Sequence, residues 1–581
     1  MTQYFTQARA VSASAEFHRI SAIPRRRWTL AEGEALSREL TPIFRRPGSS
    51  VTMLPVQAIA VREVLQNRGG FLPMGVGAGK TLAFLLIAAA LEKRFPGIAA
   101  RTYHLVKAGL DNAGRKAEIT AYLRDWNVPA PQVLHFDAIS PVSGKNILER
   151  LDPLALLVDE SHHLKNPHAS RTTRFRRWRK ANPDRIVVCA TGSITKRSIK
   201  DYAHIVPWCI PTHPPVPTRI EVLEEWADAL DERLDMGMRA DPGALLNWCL
   251  PGEIEEFGSL RAARRAYRRR LVETPGVVIY SVPASAIGAD LHIEEHIQEP
   301  GPEVIKAFGN SKARSQEEVT GLRGWLLPDG TEIVETLDMA RHVRTMPLGY
   351  WLRWKYPAPP EWLAKRKAFF RFVRDEMGHT FDSPDEIAKA FPNAPEVMGW
   401  RAIRDTYKPE TVAQWVDGNA LAFAKAWIGR GPGVVFTDNT VFGEALAHLA
   451  GVPFFGPGGL DVAGRPIEGF MGPSCVASVK ANGEGRNLQR WARGLLMSPP
   501  QNNLQMQQNL GRWMRLGQKA LRVDVTVFVG CLEHAANLRQ CVSDAEYASD
   551  GAMGDDSQLL STAKIQWGSL PNSYPVWRKT P

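Results

Sequence analysis

The chain has 581 residues, of which 44% are hydrophobic and 23% are charged, and its formal net charge is +11. This length exceeds what one hydrophobic core serves, and the composition excludes a largely disordered chain, so two or three folded domains are expected. The positive charge favours a polyanionic partner such as nucleic acid, although charge alone does not name that partner.

Cysteine spacing and hydropathy narrow the class of protein further. The six cysteines form no C-x-x-C pair and no Cys and His spacing of a zinc site, which indicates a reducing compartment. The longest strongly apolar run, Leu82 to Leu91, is shorter than the ~20 residues that a membrane-spanning helix needs. The N-terminus lacks the apolar region of a signal peptide. We therefore predict a cytoplasmic protein with no membrane partner.

The start of the chain is predicted to form an extension with one helix. Thr29 and Glu32 have the spacing of a capping box, which predicts a helix that ends near Phe44. Arginine clusters at 25–27 and 45–46 flank this helix. They indicate either a surface that faces nucleic acid or a solvated helix rim, and the second interpretation is favoured.

From residue 51 onward, apolar stretches alternate with helical periods, which is the pattern of strands and helices on a parallel sheet. A helix is predicted after Gln57, running to about Gln66, and Gly69-Gly70 turns into the first strand. The Gln57 amide carries both a donor and an acceptor, as the reading of an adenine edge requires. A single glutamine does not specify that role by itself.

The stretch from Phe71 to Thr81 predicts a loop that binds phosphate. Its small residues allow backbone N–H groups to turn inward around phosphate oxygens. These small residues are Gly75, Gly77, Ala78 and Gly79. Lys80 would contact the β- and γ-phosphates of a nucleotide, and the Thr81 hydroxyl would ligate Mg²⁺. Met74 stands where the strict P-loop pattern has glycine, and the alternative interpretation is a glycine-rich turn before a buried helix.

A second stretch, residues 154–166, places two carboxylates after a buried strand. The apolar residues 154–158 predict a central strand, and Asp159 and Glu160 follow at its carboxyl end, on the edge where the phosphate loop also lies. Asp159 would hold Mg²⁺, and Glu160 would orient and deprotonate the water that attacks a γ-phosphate. The alternative is an acidic turn after a strand.

Two further strands end in polar residues. One is followed by Lys107, which indicates a contact with a phosphate backbone or, equally, a plain surface lysine. The other, residues 185–190, is followed by Thr191, Gly192 and Ser193. These small residues would relay between a nucleotide site and a partner site, or they would form a simple turn.

Residues 251–410 are less periodic and predict a linker with a mostly helical insertion. Arginines between 261 and 270 predict one basic helix, for which binding to a nucleic-acid backbone is favoured over a solvated helix face. A second helix, residues 361–377, alternates basic and aromatic residues. Its aromatic rings would stack on bases or, as is commoner, pack in a core.

A second α/β region is predicted after the insertion. It contains the strands 433–437 and 475–479 and a later helix that carries Gln508, Arg512 and Arg515. Helical spacing puts the two arginines on one face, with Gln508 a turn earlier. Two guanidinium groups on one face could contact a γ-phosphate that another lobe binds, which is the arrangement of arginine fingers.

Several motifs occur in the order found in superfamily 2 helicases, and the chain resembles their Swi/Snf-like group of double-stranded DNA translocases. Residues 159–166 are similar to D-E-x-H-x-L-K-N, residues 483–488 to G-x-G-x-N-L, and residues 508–518 to Q-x-x-x-R-x-x-R-x-G-Q. The stretches 348–354 and 359–363 also resemble part of the helicases that bacteriophages and prophages carry.

The resemblance implies two RecA-like lobes with ATP in the cleft and a DNA path across both. By this resemblance, Gln57 reads adenine, and His162 and Gln508 couple the state of the nucleotide to closure of the lobes. Arg512 and Arg515 are the arginines that reach across the cleft.

The chain departs from the family motifs at a few positions. Ser193-Ile194 stands where the family has Thr-Pro, Asn482 stands where glycine is usual, and Arg486 stands where leucine is usual. These departures concern the coupling to DNA more than ATP hydrolysis. Gly485 keeps the glycine of its motif and is assigned to nucleotide binding.

We therefore predict an α/β protein with two RecA-like P-loop NTPase lobes, a mostly helical insertion and an N-terminal extension. The predicted boundaries are 1–50 for the extension, 51–250 for the first lobe, 251–410 for the linker and insertion, 411–545 for the second lobe and 546–581 for a loose tail. The predicted activity is movement along duplex DNA driven by ATP and Mg²⁺, in the DNA metabolism of a phage or bacterium.

Two other functions stay open. One is a strand-separating helicase on DNA or RNA, which needs a wedge between the strands. The other is a DNA-binding scaffold that uses ATP only to clamp. Glu160 and the paired arginines argue against a scaffold, because a clamp does not need an intact set of hydrolytic groups.

Overall fold

The computed structural model describes most of the chain and divides it into two units. The described residues are 10–75, 78–107, 113–140, 146–167, 169–192, 197–231, 239–280, 287–306, 327–329, 333, 336–376, 384–482, 486–515, 517–553 and 558–571. The first unit comprises Met1–Leu291, Gln501–Leu521 and Gln540–Ala563, and the second comprises His292–Pro500, Arg522–Arg539 and Lys564–Pro581. Neither unit is a continuous stretch of sequence.

Strands and helices alternate along much of the described chain. The strands are β1 (Gly69–Pro73), β2 (Thr102–Val106), β3 (Gln132–His135), β4 (Ala155–Val158), β5 (Ile186–Thr191), β6 (Asp290–Ile297), β7 (Tyr350–Trp354), β8 (Thr411–Trp415), β9 (Gly433–Thr437), β10 (Phe454–Phe455), β11 (Ser474–Ser478), β12 (Arg493–Leu496), β13 (Arg522–Val529) and β14 (Lys564–Gln566). The α-helices are α1 (Ala15–Ala22), α2 (Leu30–Phe44), α3 (Pro55–Asn67), α4 (Lys80–Arg94), α5 (Ala113–Asp125), α6 (Phe136–Ile139), α7 (Ile147–Leu151), α8 (Ser170–Ala181), α9 (Lys200–Ala203), α10 (Val206–Cys209), α11 (Ile220–Leu230), α12 (Glu253–Val272), α13 (Thr336–Thr345), α14 (Pro360–Glu376), α15 (Pro384–Ala390), α16 (Pro395–Ile403), α17 (Asn419–Gly429), α18 (Thr440–Ala450), α19 (Val479–Asn482), α20 (Asn503–Leu510), α21 (Leu532–Ala548) and α22 (Leu559–Thr562).

The first unit is built on a five-stranded sheet in the order β1-β5-β4-β2-β3, and every pair of neighbours is parallel. Alternate residues of a strand point to opposite faces, so each strand serves two cores. In β5, Val187 and Cys189 enter the core with α8, α11 and α12, whereas Val188 and Ala190 enter the core with α2, α3 and α4. Helices on both faces explain why these strands are apolar throughout.

The capping box predicted at Thr29 is confirmed. The Thr29 hydroxyl accepts from the backbone of Glu32, and the Glu32 carboxylate accepts from the Thr29 backbone at 2.8 Å. Helix α2 therefore begins after Thr29 and ends at Phe44, as the sequence predicted.

The arginines that flank α2 have internal partners. Arg26 donates to the buried Glu63 at 2.6 Å, and Arg27 donates to Glu273 at 2.6 Å. Arg46 donates to the carbonyl of Trp126 at 3.1 Å. These hydrogen bonds connect the extension to the rest of the first unit. Neither interpretation of the sequence included such internal contacts.

The second unit is built on a seven-stranded sheet in the order β10-β11-β9-β12-β13-β6-β14. The pairings from β10 through β13 are parallel, and so is the pairing of β14 with β6. Strand β6 comes from the predicted insertion. Strands β7 and β8 form a separate antiparallel pair.

The prediction of a loose tail after residue 545 is wrong for the described residues up to 571. Helix α21 continues to Ala548, a single π-helical turn follows at Ser549–Met553, and β14 joins the second sheet. Tyr547 and Leu560 are buried because they pack against other parts of the protein, which a small-residue composition does not reveal. Residues 572–581 lie outside the described part.

Overall, the protein is α/β, with two parallel sheets flanked by helices. No helix in the described ranges combines the length and the hydropathy that a bilayer crossing needs.

Candidate functional site

Three neighbouring strands of the first sheet bring their carboxyl ends together. The order β1-β5-β4 places β5 between the strand that precedes Lys80 and the strand that precedes Glu160. Gly192 follows β5 and therefore lies between the other two. In open α/β sheets this edge is where ligands bind.

In the loop before α4, the backbone of Gly79 lies close to the side chain of Gln57. Gly79 has φ 70°, a left-handed conformation that glycine adopts without steric cost. A Cβ at this position would lie 2.4 Å from Gln57 Nε2. The Gly75 amide donates to the carbonyl of Tyr280 at 2.7 Å. The predicted strand, loop and helix are therefore present around these residues.

Of two small residues assigned to this loop, the structure describes Ala78 but not Gly77. Ala78 is fully buried and its amide faces the Gly75 carbonyl at 3.4 Å. Gly77 lies outside the described residues, so its assigned contact with phosphate stays a prediction.

Lys80 and Glu160 form the centre of the site. Lys80 Nζ lies 3.3 Å from Glu160 Oε1 and donates to the Met74 carbonyl at 3.1 Å. The Gly192 amide donates to Glu160 Oε2 at 3.3 Å, and a Cβ on Gly192 would lie 3.4 Å from Lys80 Nζ. Gly192 therefore lies in direct proximity to both Lys80 and Glu160.

Glu160 has an unusual backbone conformation and a shifted pKa. Its φ is 52°, in the left-handed region that non-glycine residues rarely occupy, and such conformations cluster at functional sites. Burial alone would raise the pKa of Glu160. The Lys80 ammonium group, His162 and the Gly192 amide outweigh burial and lower that pKa below its usual value. The carboxylate is therefore ionised at neutral pH.

The residues assigned to a metal fit Mg²⁺ by their chemistry. Asp159 follows β4 and is 4% exposed, and Thr81 lies half-buried in the first turn of α4. A carboxylate and a hydroxyl are hard oxygen donors, and Mg²⁺ usually takes few protein ligands together with substrate phosphates and water. Among the described residues, no group of three or more His, Cys, Asp or Glu side chains is placed to hold a metal ion.

His162 connects the carboxylate to the end of β5. Its Nδ1 lies 3.3 Å from Glu160 Oε2 and 3.4 Å from the Thr191 hydroxyl. The structure therefore places Thr191 beside His162, and their assigned coupling role stays a prediction. Ser193, assigned to the same element, lies outside the described residues.

His163 was missed by the sequence interpretation. Its ring packs against His162 with centroids 4.4 Å apart and against Phe136 at 5.3 Å. Burial, followed by the charges of His162 and Lys107, lowers the pKa of His163 to about 3. His163 is consequently neutral at physiological pH. Consecutive histidines after the acidic pair were the available signal.

A short segment beside β1 was also missed. Val277 and Tyr280 form parallel bridges with Phe71 and Met74, so residues 277–280 extend the sheet at the β1 edge. This segment supplies the carbonyl that holds Gly75. The apolar, β-branched run 277–280 was a usable strand signal within a region that the sequence assigned to an insertion.

Gln57 is buried and supports the loop before α4. Its Oε1 accepts from the Leu54 amide at 2.9 Å, and its Nε2 donates to the Gly79 carbonyl at 3.2 Å. Both ends of the amide are thus engaged with backbone. To read an adenine edge, as predicted, Gln57 would have to exchange at least one of these hydrogen bonds.

The prediction that Arg512 and Arg515 lie on one helix is wrong. Helix α20 ends at Leu510, and turns follow it. Arg512 Nε donates to the Gln508 carbonyl at 2.9 Å, and Arg515 Nε donates to the Gly511 carbonyl at 2.7 Å. Gly511 is a poor helix former, and these side-chain donors take carbonyls that a continuing helix would use.

The sequence assigned these arginines to the second lobe, at 411–545. In the structure, the segment Gln501–Leu521 groups with the first unit, which also contains Lys80. Burial lowers the pKa of Arg515, and the Glu118 carboxylate partly offsets this effect. Arg512 is 4% exposed.

Two of the positions that depart from the family motifs, Asn482 and Arg486, have structural roles in the second unit. Asn482 donates to the carbonyls of Phe455 and Ser478 at 3.1 Å each. Arg486 pairs with Glu468 at 3.1 Å. Asn482 thus links β10 with the end of β11, and Arg486 contacts the segment between these strands. Gly485 lies outside the described residues.

Comparison with known proteins assigns no family. No protein-family model matches the chain, and a search of curated proteins found no match to it.

Proposed function

We propose that the protein is an ATP-driven motor that moves along duplex DNA and is built on two RecA-like lobes. The observation that carries this proposal is the contact of 3.3 Å between Lys80 Nζ and Glu160 Oε1. It brings together a cation from the loop after β1 and a carboxylate from the loop after β4. Such a pair suits the binding and hydrolysis of a triphosphate.

In this proposal Lys80 changes partner when the substrate binds. Its ammonium group would turn from Glu160 toward the phosphate oxygens. Glu160 would then lose the charge that holds its pKa down, and burial would raise that pKa. A carboxylate with a higher pKa is a better general base for the attacking water. The base would thus gain strength only when the triphosphate is in place.

The remaining groups have supporting roles. Mg²⁺, when bound, would neutralise charge on the phosphate oxygens, and Thr81 and Asp159 would hold it. Arg512 and Arg515 would stabilise the charge on the transferring phosphoryl group, since guanidinium groups stay protonated. His162 and Gln508 would pass the state of the nucleotide to the DNA-binding surface.

Duplex DNA is the proposed track because the net charge of +11 favours a polyanion and because the motifs resemble those of duplex translocases. A motor that contacts phosphates reads little base sequence. We therefore expect DNA to raise ATP turnover with little dependence on sequence.

The test compares ATPase rates with duplex DNA, single-stranded DNA and RNA. Duplex DNA should stimulate most, and Lys80→Ala and Glu160→Gln should each reduce turnover by roughly 10²-fold or more. Glu149→Gln is the matched control, since Glu149 is an exposed carboxylate that pairs with Arg177. Translocation that continues in Glu160→Gln without turnover would overturn the proposal.

A second assay separates the motor from a strand-separating helicase. The motor should displace the third strand of a triplex and should unwind a forked duplex poorly. Strong fork unwinding without triplex displacement would reject the duplex motor in favour of the helicase.

A further inference from the structure

Helix α12, for which the sequence favoured binding to a nucleic-acid backbone, uses four of its arginines inside the first unit. Arg264, Arg268 and Arg270 donate to backbone carbonyls, and Arg269 pairs with Glu253. These contacts stabilise the fold. Helix α12 therefore offers less positive charge to a ligand than its sequence indicated.

Helix α8 is a second basic helix, which the sequence interpretation missed. Six of its twelve residues are positively charged, and none is negatively charged. The six are Arg171, Arg174, Arg176, Arg177, Arg179 and Lys180. Like charges three or four residues apart repel each other and weaken a helix. Because no acidic residue of α8 offsets this repulsion, the charges indicate a role beyond the stability of the helix.

Three of the arginines attach α8 to the rest of the first unit. Arg179 is buried and donates to four backbone carbonyls at distances of 2.7–3.0 Å. Arg174 donates to the carbonyl of Ile139, and Arg177 pairs with Glu149 at 3.2 Å. Several elements thus hold the helix in place, and a ligand that binds its outer face would meet a fixed surface.

Arg176 and Lys180 point to a different use. Both side chains are exposed, and within the described ranges neither forms an ion pair with a carboxylate. They are four residues apart, which places them one helical turn from each other on one face. Thr173 and Arg177 are exposed on the same face. We call these four residues the basic face of α8.

Nearby carboxylates reduce the charge of the basic face only in part. Glu149 opposes Arg177, and the two side chains are 39% and 46% exposed. Asp184, also exposed, follows the end of the helix. Water and salt screen exposed charges, so neither carboxylate cancels the attraction of Arg176 and Lys180 for an anion in direct contact.

The basic face extends away from the candidate nucleotide site. Strand β4 ends at Val158, β5 begins at Ile186, and the two strands are parallel neighbours. The chain between them must return from the carboxyl edge of the sheet to the amino edge, and α8 forms most of that return. Lys180 lies at its far end. A phosphate bound at Lys180 would therefore belong to a molecule other than the nucleotide at Lys80.

An extended polyanion fits the basic face better than a small anion does. A small anion needs groups that converge on one point, whereas Arg176, Arg177 and Lys180 are spread over about 6 Å of an exposed helix. Duplex DNA carries one negative charge per about 1.7 Å of its axis, and proteins bind it by neutralising several phosphates. We propose that the basic face of α8 binds the phosphate backbone of duplex DNA outside the nucleotide site. The choice of partner rests on the proposed function.

The test replaces the two exposed cations in one variant, Arg176→Gln with Lys180→Gln. Binding of duplex DNA without nucleotide is measured by fluorescence anisotropy over a series of salt concentrations. Each phosphate contact contributes about 0.9 to the slope of log affinity against log salt concentration, so the variant should lose roughly 2 from that slope. Its affinity at low salt should fall about tenfold, because two charge-assisted contacts are lost.

Lys93→Gln with Arg94→Gln is the matched control. These two exposed cations lie in the last turn of α4, and their replacement removes the same charge from the first unit. The control should keep the slope of the wild type. An equal fall in both double variants would show that only total charge matters, and this result overturns the proposed surface. An unchanged slope in Arg176→Gln with Lys180→Gln also overturns it.

A single substitution covers the case in which the double variant does not fold, as judged by circular dichroism. Lys180→Gln alone should then lose about 1 from the slope, and an unchanged slope overturns the surface. A slope that falls with single-stranded RNA but not with duplex DNA overturns duplex DNA as the partner.

The same assay separates this surface from the proposed motor, because no step of it depends on ATP turnover. A lowered slope in a protein that shows no ATP turnover supports the surface and contradicts the motor. Normal turnover with an unchanged slope contradicts the surface alone. A wild type that does not bind duplex DNA overturns both.

Discussion

Lys80 and Glu160 neutralise each other at the carboxyl edge of the first sheet, with 3.3 Å between Nζ and Oε1. The two side chains are half-buried, at 13% and 19% exposure, so water screens their attraction only in part. Each residue is therefore the internal counter-ion of the other. Under the proposed function, a phosphate ligand would compete with Glu160 for Lys80.

This competition predicts the effect of changing the lysine. Lys80→Ala should weaken the binding of a fluorescent ATP analogue by roughly 10²-fold, because charge-assisted contacts with phosphate are lost. Lys93→Ala is the control, since Lys93 lies exposed in the last turn of the same helix. Equal affinities in the two variants would contradict the placement of phosphate at Lys80.

Glycine at position 79 is predicted to be required for two separate reasons. Gly79→Ala would place a methyl group 2.4 Å from Gln57 Nε2 and would also force alanine to φ 70°. Gly97→Ala is the matched control, because Gly97 has φ 89° but no atom within 4 Å of an added Cβ. Gly97→Ala should cost about 1 kcal/mol of unfolding free energy, and Gly79→Ala should cost about 1 kcal/mol more.

Nucleotide binding should separate these two variants more sharply than stability does. Only Gly79→Ala moves the loop that precedes α4, so only this variant should lose affinity. Binding that is equally impaired in Gly97→Ala would show that the effect comes from general destabilisation.

Much of the first sheet and its site followed from local sequence. Strand β4 and the acidic pair were predictable from local sequence. A buried parallel strand is apolar throughout, and the two acidic residues follow directly after its last residue. The order of the strands in the sheet and the 3.3 Å contact were not predictable. They depend on which strands pair, and no local pattern specifies this.

The errors also have physical causes. Helical spacing was extended through Gly511 to Arg515, but side-chain hydrogen bonds to carbonyls ended the helix at Leu510. The arginines of α12 were assigned to a nucleic acid because charge alone does not show that Arg270 is buried against the carbonyl of Ile20. In both cases, side-chain hydrogen bonds to backbone carbonyls determined the structure, and the sequence pattern does not show these bonds.

Glu63 is predicted to be a large contributor to stability. It is 1% exposed and accepts from Arg26 at 2.6 Å, from the indole of Trp28 at 2.9 Å and from the Gly276 amide at 2.6 Å. Glu63→Ala should lower the free energy of unfolding by roughly 3–5 kcal/mol, because it leaves several buried donors without an acceptor.

An exposed pair on neighbouring helices provides the comparison for Glu63. Glu39 pairs with Arg62 at 2.8 Å, and its side chain is 57% exposed. Glu39→Ala should cost less than about 1 kcal/mol in the same denaturant titration. A Glu63→Ala cost as small as that of Glu39→Ala would mean that water replaces the lost acceptor.

The neutral state of His163 predicts a pH dependence of stability. Its pKa is about 3 in the folded protein, below the ordinary value of 6.5, because it is buried beside His162, Lys107 and Arg171. Between these values the unfolded chain binds a proton that the folded protein does not. Stability therefore falls as pH drops below 6.5, by at most about 1.4 kcal/mol per pH unit from this residue.

His163→Phe isolates that contribution, since it keeps an aromatic ring against Phe136 but cannot bind a proton. The difference in unfolding free energy between wild type and variant should shift toward the variant as pH falls from 7.5 to about 5.5. A difference that stays constant over this interval would show that His163 has an ordinary pKa in the folded protein.

The discontinuity of the first unit has a consequence for biosynthesis. Its segments Gln501–Leu521 and Gln540–Ala563 are translated after residues 292–500. When the ribosome has made the first 291 residues, the nascent chain still lacks the later segments of the first unit. The first unit therefore cannot complete its fold until Ala563 has been synthesised. During that interval chaperones can bind the incomplete unit.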